Sequence, residues 1–218
     1  MVDKYIEIIK PRIEKLFAED SSGHDIGHLE RVRDLAIRIA RAEGGNELVV
    51  GLAGYMHDIH RLLQSQYGHY VSPAQTLPMV RDILKATDLK QNIIDEICLC
   101  IEYHECYNWN DGNINNINAL IVQDADNIDA IGAIGVGRAF CYGGTYGIPM
   151  YSNQSLDFDQ EYIEDNGDDD TTIHHFYHKL FRLGDYMNTT TAKEIAASRI
   201  EFMKKFAEEF IDEWNGRK

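Results

Sequence analysis

The 218-residue chain is poor in basic side chains, and this shortage excludes two classes of partner. Its 21 Lys and Arg stand against 36 Asp and Glu, which gives a formal net charge of −15. Nucleic-acid polymers and anionic membrane faces need a basic surface, so the composition argues against both. A small anionic substrate stays compatible, because a bound cation and a few local Arg or Lys can reverse the field inside a cleft.

Cysteine and long apolar runs are scarce as well. The 4 cysteines include no second pair at zinc-finger spacing, which is typical of reduced thiols in a core. No run approaches the roughly 18 apolar residues of a membrane helix. The charged residues Asp3, Lys4 and Glu7 interrupt any apolar segment of a signal peptide. We therefore expect a cytoplasmic protein.

Helical periodicity runs through most of the chain. Apolar residues recur every three or four positions in 3–19, 26–42, 80–84, 93–103, 119–126, 128–141 and 192–214. Few segments alternate as strands do, and the sequence has no internal repeat and no linker rich in Pro or Ser. The sequence predicts an all-α fold and a single domain over residues 1–218.

Several breaks in the pattern predict where helices end. Pro11 predicts a kink or a helix start, Gly44 and Gly45 end the second helix, and the pair Gly143-Gly144 ends another. Ser72 to Gln75 has the form of a capping box.

Two longer segments resist regular structure. The first, 105–118, is rich in Asn, and the second, 145–171, contains an acidic run at 165–170 without the ligand spacing of an EF-hand. Loops of this length in compact domains often act as lids, so we expect 145–171 to be a solvated lid.

His57 and Asp58 stand side by side directly after the uncharged apolar run 48–56. A buried imidazole and carboxylate are costly unless each has a partner, and a metal ion is a partner for both. Upstream, Asp25 and His28 are three residues apart and share a helical face, so the carboxylate can orient the imidazole from outside the ligand set. The same spacing occurs where an exposed Asp caps a helix and the His lies on the surface.

Downstream, Asp124, Asp126 and Asp129 fall within six residues of an otherwise apolar helical region. One such residue could cap a helix, but three beside a buried stretch indicate a cation. Imidazoles and carboxylates together suit Mn²⁺, Fe²⁺, Co²⁺ or Mg²⁺ better than a structural zinc, and about two positions would stay open for water and substrate. The predicted ligands come from three helices: His28, His57, Asp58 and Asp126.

The order His…His-Asp…Asp, with Asp25-x-x-His28 at the first His, resembles the HD-domain metal-dependent phosphohydrolase superfamily. Two longer strings, 124–140 (DADNIDAIGAIGVGRAF) and 173–180 (IHHFYHKL), resemble its YpgQ/YedJ-like branch. The likeness covers about residues 20 to 210, which is nearly the whole chain.

This resemblance implies a single helical HD-domain bundle that cleaves nucleoside triphosphates, deoxy forms preferred, to a monophosphate and pyrophosphate. It implies one divalent ion, with Mn²⁺ expected first and Mg²⁺, Co²⁺, Fe²⁺ or Ni²⁺ as alternatives. Two other activities stay open, namely a 5′-nucleotidase or (p)ppGpp-type hydrolase, and a non-catalytic nucleotide-sensing module. Whether the chain forms a homodimer is also open.

The residues themselves suggest roles in such a reaction. A bound divalent ion lowers the pKa of water, after which Asp58 or Asp129 could accept the proton. His104, at the end of a buried helix, could protonate the leaving oxygen or hold a phosphate. The candidates to neutralise the phosphate chain are Arg31, Arg61, Arg138 and Lys179.

Arg61 is a departure from the superfamily pattern. Monophosphate nucleotidases of the superfamily commonly carry a Glu at this position, three residues after the motif's Asp. Arg61 removes a base and adds a cation, which suits a longer polyphosphate.

Overall fold

The computed structural model describes residues 2–18, 20, 22–105, 114–152 and 171–218. These residues form α-helices and one 3₁₀ helix, with no strand among them, so the all-α prediction is confirmed. The helices are α1 (Val2–Phe17), α2 (Ile26–Glu43), α3 (Glu47–Met56), α4 (Ile59–Tyr67), α5 (Pro73–Leu84), α6 (Gln91–Tyr103), α7 (Ile117–Asp129), α8 (Gly132–Tyr146), α9 (Thr172–His178), the 3₁₀ helix Leu180–Tyr186, and α10 (Thr190–Trp214).

Several helix ends follow local sequence chemistry. The end of α2 at Gly44 is confirmed, because this residue has φ 81° and its N–H donates to the carbonyl of Ala40. The side chain of Asn46 caps α3 by accepting from the N–H groups of Leu48 and Val49. At the start of α5, the N–H of Ser72 donates to Gln75 Oε1 over 2.8 Å, as the predicted capping box requires.

Other boundaries differ from the sequence prediction. α1 continues through Pro11, so of the two predictions there the helix start is wrong and the kink stays a prediction. α7 continues through Asn127, where we expected a break. The break comes instead before Gly132, which has φ 82°. Arg199 Nη1 donates to the carbonyl of Ile128, at the end of α7. The predicted end of α8 at the pair 143–144 is wrong, because the helix runs on to a left-handed Gly147.

The described parts of the chain form two compact units. The first comprises residues up to 20, then 24–126 and 188–191; the second comprises the described parts of 21–23, 127–187 and 192–218. The prediction of one domain over residues 1–218 stays a prediction. Most of the Asn-rich segment 105–118, and most of 145–171 with its acidic run, lie outside the described residues.

In the first unit, α3 is the central helix. It packs against α1, α2 and α6, and α5 packs against α4 and α6. Every residue of α3 from Val49 to Met56 is buried. The turn that follows this helix therefore begins in the interior of the unit.

In the second unit, α8 packs against α9, and α9 packs against the 3₁₀ helix. Aromatic rings from α8, α9 and α10 pack on one another, with the Phe140 and Phe176 centroids 6.1 Å apart and those of Phe140 and Phe206 6.2 Å apart. Across the described helices of both units, none combines the length and apolar character that crossing a bilayer requires.

Neighbouring isoleucines on α1 allow a direct test of this packing. Ile9 is 1% exposed and Ile8 is 40% exposed. We expect Ile9→Ala to lower the free energy of unfolding by about 2–5 kcal/mol, because it leaves a cavity in the core. The matched change Ile8→Ala should alter it by no more than about 0.5 kcal/mol. Urea unfolding measures both, and equal losses would show that α1 does not pack as described.

Candidate metal centre

The four predicted ligands meet inside the first unit. His28 Nε2 lies 3.1 Å from His57 Nε2 and 3.2 Å from Asp58 Oδ2. Asp126 Oδ1 lies 3.5 Å from each of the two imidazole Nε2 atoms. Donor atoms that bind one divalent ion at about 2.1 Å are roughly 3.0–3.4 Å apart. The observed separations therefore fit a single ion among these side chains.

Three parts of the chain bring the donors together. His28 lies in the first turn of α2, His57 and Asp58 form the turn between α3 and α4, and Asp126 lies in the last turn of α7. At the start of α2, Asp25 Oδ1 accepts the backbone N–H of His28 over 2.9 Å. Asp25 therefore holds this ligand by capping its helix, and the orientation of the imidazole by the same carboxylate stays a prediction.

Gly54 has two functions in placing His57. A Cβ at residue 54 would lie 3.2 Å from the backbone nitrogen of Arg33, so the absence of a side chain allows α3 to approach α2 closely. The carbonyl of Gly54 also lies 2.9 Å from His57 Nδ1. Because a carbonyl only accepts hydrogen bonds, Nδ1 must carry the proton, and the lone pair of the neutral ring is then on Nε2.

Two further histidines show the same arrangement. His60 Nδ1 lies 3.2 Å from the carbonyl of His57, and His104 Nδ1 lies 2.6 Å from that of Ile101. Each carbonyl comes three residues earlier and ends a helix, where carbonyl groups lack intrahelical donors. These contacts give both rings a fixed orientation and place their Nε2 atoms near the cluster. The atoms of Asp58, His60 and His104 form a second group that could hold an ion.

The charges in the cluster depend on one another. Burial by itself would lower the pKa of His57, but the carboxylates of Asp58 and Asp126 raise it to about 9. Burial opposes the negative charges of Asp58 and Asp126, yet the His57 charge holds the pKa of each carboxyl well below its usual range. Without an ion, the cluster therefore consists of two carboxylates held by an imidazolium.

His104 differs in charge from His57. Burial and the nearby charge of His57 lower the pKa of His104 to about 4, so its ring is neutral near pH 7. Its Nε2 is buried, lies 3.9 Å from Asp58 Oδ1 and has no hydrogen-bond partner among the described residues. A neutral ring accepts a proton or holds a cation. The acid role predicted for His104 stays a prediction and requires the ring to be charged first.

Arg61 is held between two carboxylates. Its Nε lies 3.7 Å from Asp58 Oδ1, and its Nη2 forms an ion pair with Glu105. Glu105 Oε2 in turn lies 3.3 Å from His60 Nε2. Sequence reasoning did not assign His60 or Glu105. The available signal was their position in the sequence, since His60 comes two residues after Asp58 and Glu105 directly follows His104.

Of the remaining predicted residues, Asp129 and Arg138 pair with each other. Arg31 is half-buried on α2, one turn after His28. In the second unit, Asp129 Oδ2 accepts from Arg138 Nη1 over 3.2 Å, Arg138 Nε donates to the carbonyl of Gly23, and Lys179 follows α9. The roles predicted for these residues stay predictions.

The three aspartates of α7 are thus stabilised in different ways. Asp126 joins the ligand cluster and Asp129 pairs with Arg138. Asp124 accepts hydrogen bonds from Asn188 and Thr189. Two of the three carboxylates from which we inferred a cation are therefore stabilised by protein donors.

The chain matches the HD-domain family over residues 25–131, a span that contains all four donor residues. It belongs to the HD-domain superfamily of metal-dependent phosphohydrolases, in the branch that includes YpgQ. YpgQ of Bacillus subtilis (strain 168) is 32% identical over 207 residues, which cover 93% of this chain and 90% of YpgQ.

Solved structures show the same fold. The crystal structure of YpgQ in complex with ADP has a TM-score of 0.69 and 30% identity, covering 98% of this chain and 97% of that one. An HD-superfamily hydrolase from Bacillus thuringiensis has a TM-score of 0.73 and 30% identity, with 99% of both chains covered. A Lactobacillus plantarum protein has a TM-score of 0.79 and 31% identity, also over 99% of both chains.

Glu105 gives the metal-free cluster a testable pH dependence. Burial opposes its charge, but His60 and Arg61 lower its pKa to about 2 from the usual 4.5. The carboxylate therefore contributes stability that is fully present above pH 4.5 and is lost as the pH falls through about 2. We expect Glu105→Gln to be less stable than the wild type at neutral pH, and the difference to shrink as the pH falls.

Urea unfolding in EDTA between pH 3 and pH 7 measures this difference. Glu201→Gln removes an exposed carboxylate that pairs with Lys205 and is the matched control. It should change little at any pH, because water screens such pairs. A difference for Glu105→Gln that stays constant over the whole range would contradict the assignment of an ionised, paired Glu105.

Proposed function

We propose that this protein is a metal-dependent nucleotide pyrophosphohydrolase that converts nucleoside triphosphates, with deoxy forms preferred, to a nucleoside monophosphate and pyrophosphate. The supporting observation is that the His28 and His57 Nε2 atoms lie 3.1 Å apart, with Asp58 Oδ2 3.2 Å from His28 Nε2 and Asp126 Oδ1 3.5 Å from both nitrogens. The likeness to an HD-superfamily hydrolase at 30% identity supports hydrolysis as the reaction class.

The donor set fits a divalent ion that prefers mixed nitrogen and oxygen ligands, and we propose Mn²⁺. His28, His57, Asp58 and Asp126 would hold it. When bound, such an ion polarises a phosphoryl oxygen and lowers the pKa of a water molecule. The proton that His57 carries in the absence of an ion must leave before its Nε2 can bind one.

The chain's own groups supply the other parts of the reaction. Asp58 is buried in the cluster beside His104, and we propose that one of these two groups accepts the proton of the attacking water. Asp129, which pairs with Arg138, is a second candidate for this role. Arg61 keeps 37% of its side chain exposed while it contacts Asp58, so it can also reach a phosphate.

One observation supports a nucleotide as the substrate. YpgQ, at 30% identity, has been crystallised in complex with ADP. Because the net charge of −15 would repel a polyphosphate, local cations are needed to bind one. In this proposal Arg31, Arg61, Arg138 and Lys179 neutralise the phosphate chain.

Product analysis tests the proposed reaction. The purified chain is incubated with the four deoxynucleoside triphosphates and Mn²⁺, with an EDTA control, and the products are separated by anion exchange and identified by ³¹P NMR. We expect monophosphates and pyrophosphate, formed only with the ion. In a parallel incubation with deoxynucleoside monophosphates, release of nucleoside and inorganic phosphate would instead indicate a 5′-nucleotidase, and nucleotide binding without any product would indicate a sensing module.

The ligand assignment is tested by His57→Ala. We expect this variant to lose Mn²⁺ binding and to turn over about 10³-fold more slowly, because several kcal/mol of transition-state stabilisation depend on the ion. Its helical content should be largely retained. Calorimetric titration, steady-state rates and circular dichroism measure the three properties. His69→Ala, which changes an exposed ring stacked on Tyr67, is the matched control and should behave as wild type.

A further inference from the structure

Asp124 lies two residues before Asp126 on α7 and is fully buried. Its Oδ1 accepts from the backbone N–H of Asn188 over 2.7 Å and from Asn188 Nδ2 over 2.9 Å. Its Oδ2 accepts from the backbone N–H of Thr189 over 2.8 Å and from Thr189 Oγ1 over 2.7 Å. An ionised carboxylate has about four acceptor sites, and these four donors fill them.

The donors come from the two residues directly before α10, which begins at Thr190. Backbone N–H groups at a helix start lack intrahelical acceptors, and the helix dipole favours a negative charge there. The Asp124 carboxylate therefore accepts hydrogen bonds from backbone N–H groups beside the start of α10, and these groups supply the donors that the buried carboxylate needs. These hydrogen bonds tie α7 to the segment before α10, so they can fix the rotation of α7 about its helix axis.

Side chains two residues apart on a helix point about 200° apart. Asp124 consequently holds α7 on the face opposite to the one that directs Asp126 at His28 and His57. We propose that Asp124 is a positioning residue, whose hydrogen bonds to Asn188 and Thr189 set the place of the Asp126 carboxylate in the cluster. The inference rests on the proposed metal site, for which Asp126 is a ligand.

The chain offers a matched control at the same helix start. Glu43 Oε1 accepts the backbone N–H of Thr191 over 2.7 Å, so a second carboxylate also caps α10. Glu43 is the last residue of α2, fifteen positions after His28, which places it roughly 22 Å from this ligand along the helix. Loss of either carboxylate should weaken the α10 start, but only Asp124 is close to a ligand.

The experiment compares Asp124→Asn with Glu43→Gln in the full chain. The substitution replaces one carboxylate oxygen with an NH₂ group, which is a donor. This group would face two of the four donors from Asn188 and Thr189, and those hydrogen bonds would be lost. We expect Mn²⁺ affinity, measured by calorimetric titration, to fall about tenfold in Asp124→Asn, as is usual for groups that orient ligands from outside. In Glu43→Gln it should stay within about twofold, because distant sites act independently. Both variants should unfold at a lower temperature than the wild type.

A second readout needs no ion. In metal-free protein, the ring resonances of His28 and His57 should shift in Asp124→Asn and stay in place in Glu43→Gln. If Asp124→Asn does not fold, Thr189→Val, which loses one hydroxyl donor and keeps the carboxylate, should show the same shifts at smaller amplitude.

Wild-type Mn²⁺ affinity and unmoved imidazole resonances in a destabilised Asp124→Asn would overturn the positioning role. If the wild-type protein binds no Mn²⁺, the proposed function is overturned instead. The imidazole resonances of the metal-free protein would then be the test of the role of Asp124.

Discussion

The structure depends on one electrostatic constraint, which is that opposite charges must be kept together where water is nearly excluded. Asp58 and His57 are buried at the end of an apolar helix, and an isolated charge at such a place would be very costly. The cost is offset because imidazoles and carboxylates from three parts of the chain face one another. The charges of His57, Asp58 and Asp126 depend on one another, so the cluster is stable as a set and not residue by residue.

Three histidines near helix ends are held in the same way. His57, His60 and His104 each direct Nδ1 at the carbonyl three residues earlier. One contact therefore satisfies a carbonyl at a helix end, fixes the orientation of a ring and leaves Nε2 toward the centre. Rings held in this manner need little reorganisation to bind a cation, which is a property of preorganised sites.

The sequence predicted the helices where apolar periodicity was long and uninterrupted, as in α2 and α10. It did not predict α4, in which Ile59, Leu62 and Leu63 stand at helical spacing but whose nine residues are too few to establish a repeat. It was also wrong at Asn127, a residue of low helix propensity that is buried within α7. Burial overrode propensity there, and the helix ended where Gly132 could take a positive φ. Neither outcome can be read from a local window of sequence.

The site was predictable in its residue types and less so in its partners. The order and spacing of His28, His57, Asp58 and Asp126 were sufficient to select four side chains that the fold brings together. In contrast, Asp124 is satisfied by Asn188, sixty-four residues away, and Asp129 by Arg138. Such contacts depend on tertiary packing and cannot be read from the local sequence. The three neighbouring carboxylates therefore led us to expect that more of them need a cation than the structure shows.

The close approach of α3 to α2 at Gly54 also bears on the choice of ion. Distances from Mg²⁺ to its oxygen ligands are about 2.0–2.1 Å and those from Ca²⁺ about 2.3–2.6 Å, so a few tenths of an ångström separate one ionic size from the next. A methyl group at residue 54 would meet the backbone at 3.2 Å and require a displacement of the same order. The bare backbone at this position thus lets α3 lie close to α2, and a side chain there would change the separation of His28 and His57 by an amount comparable to the difference between two ionic sizes.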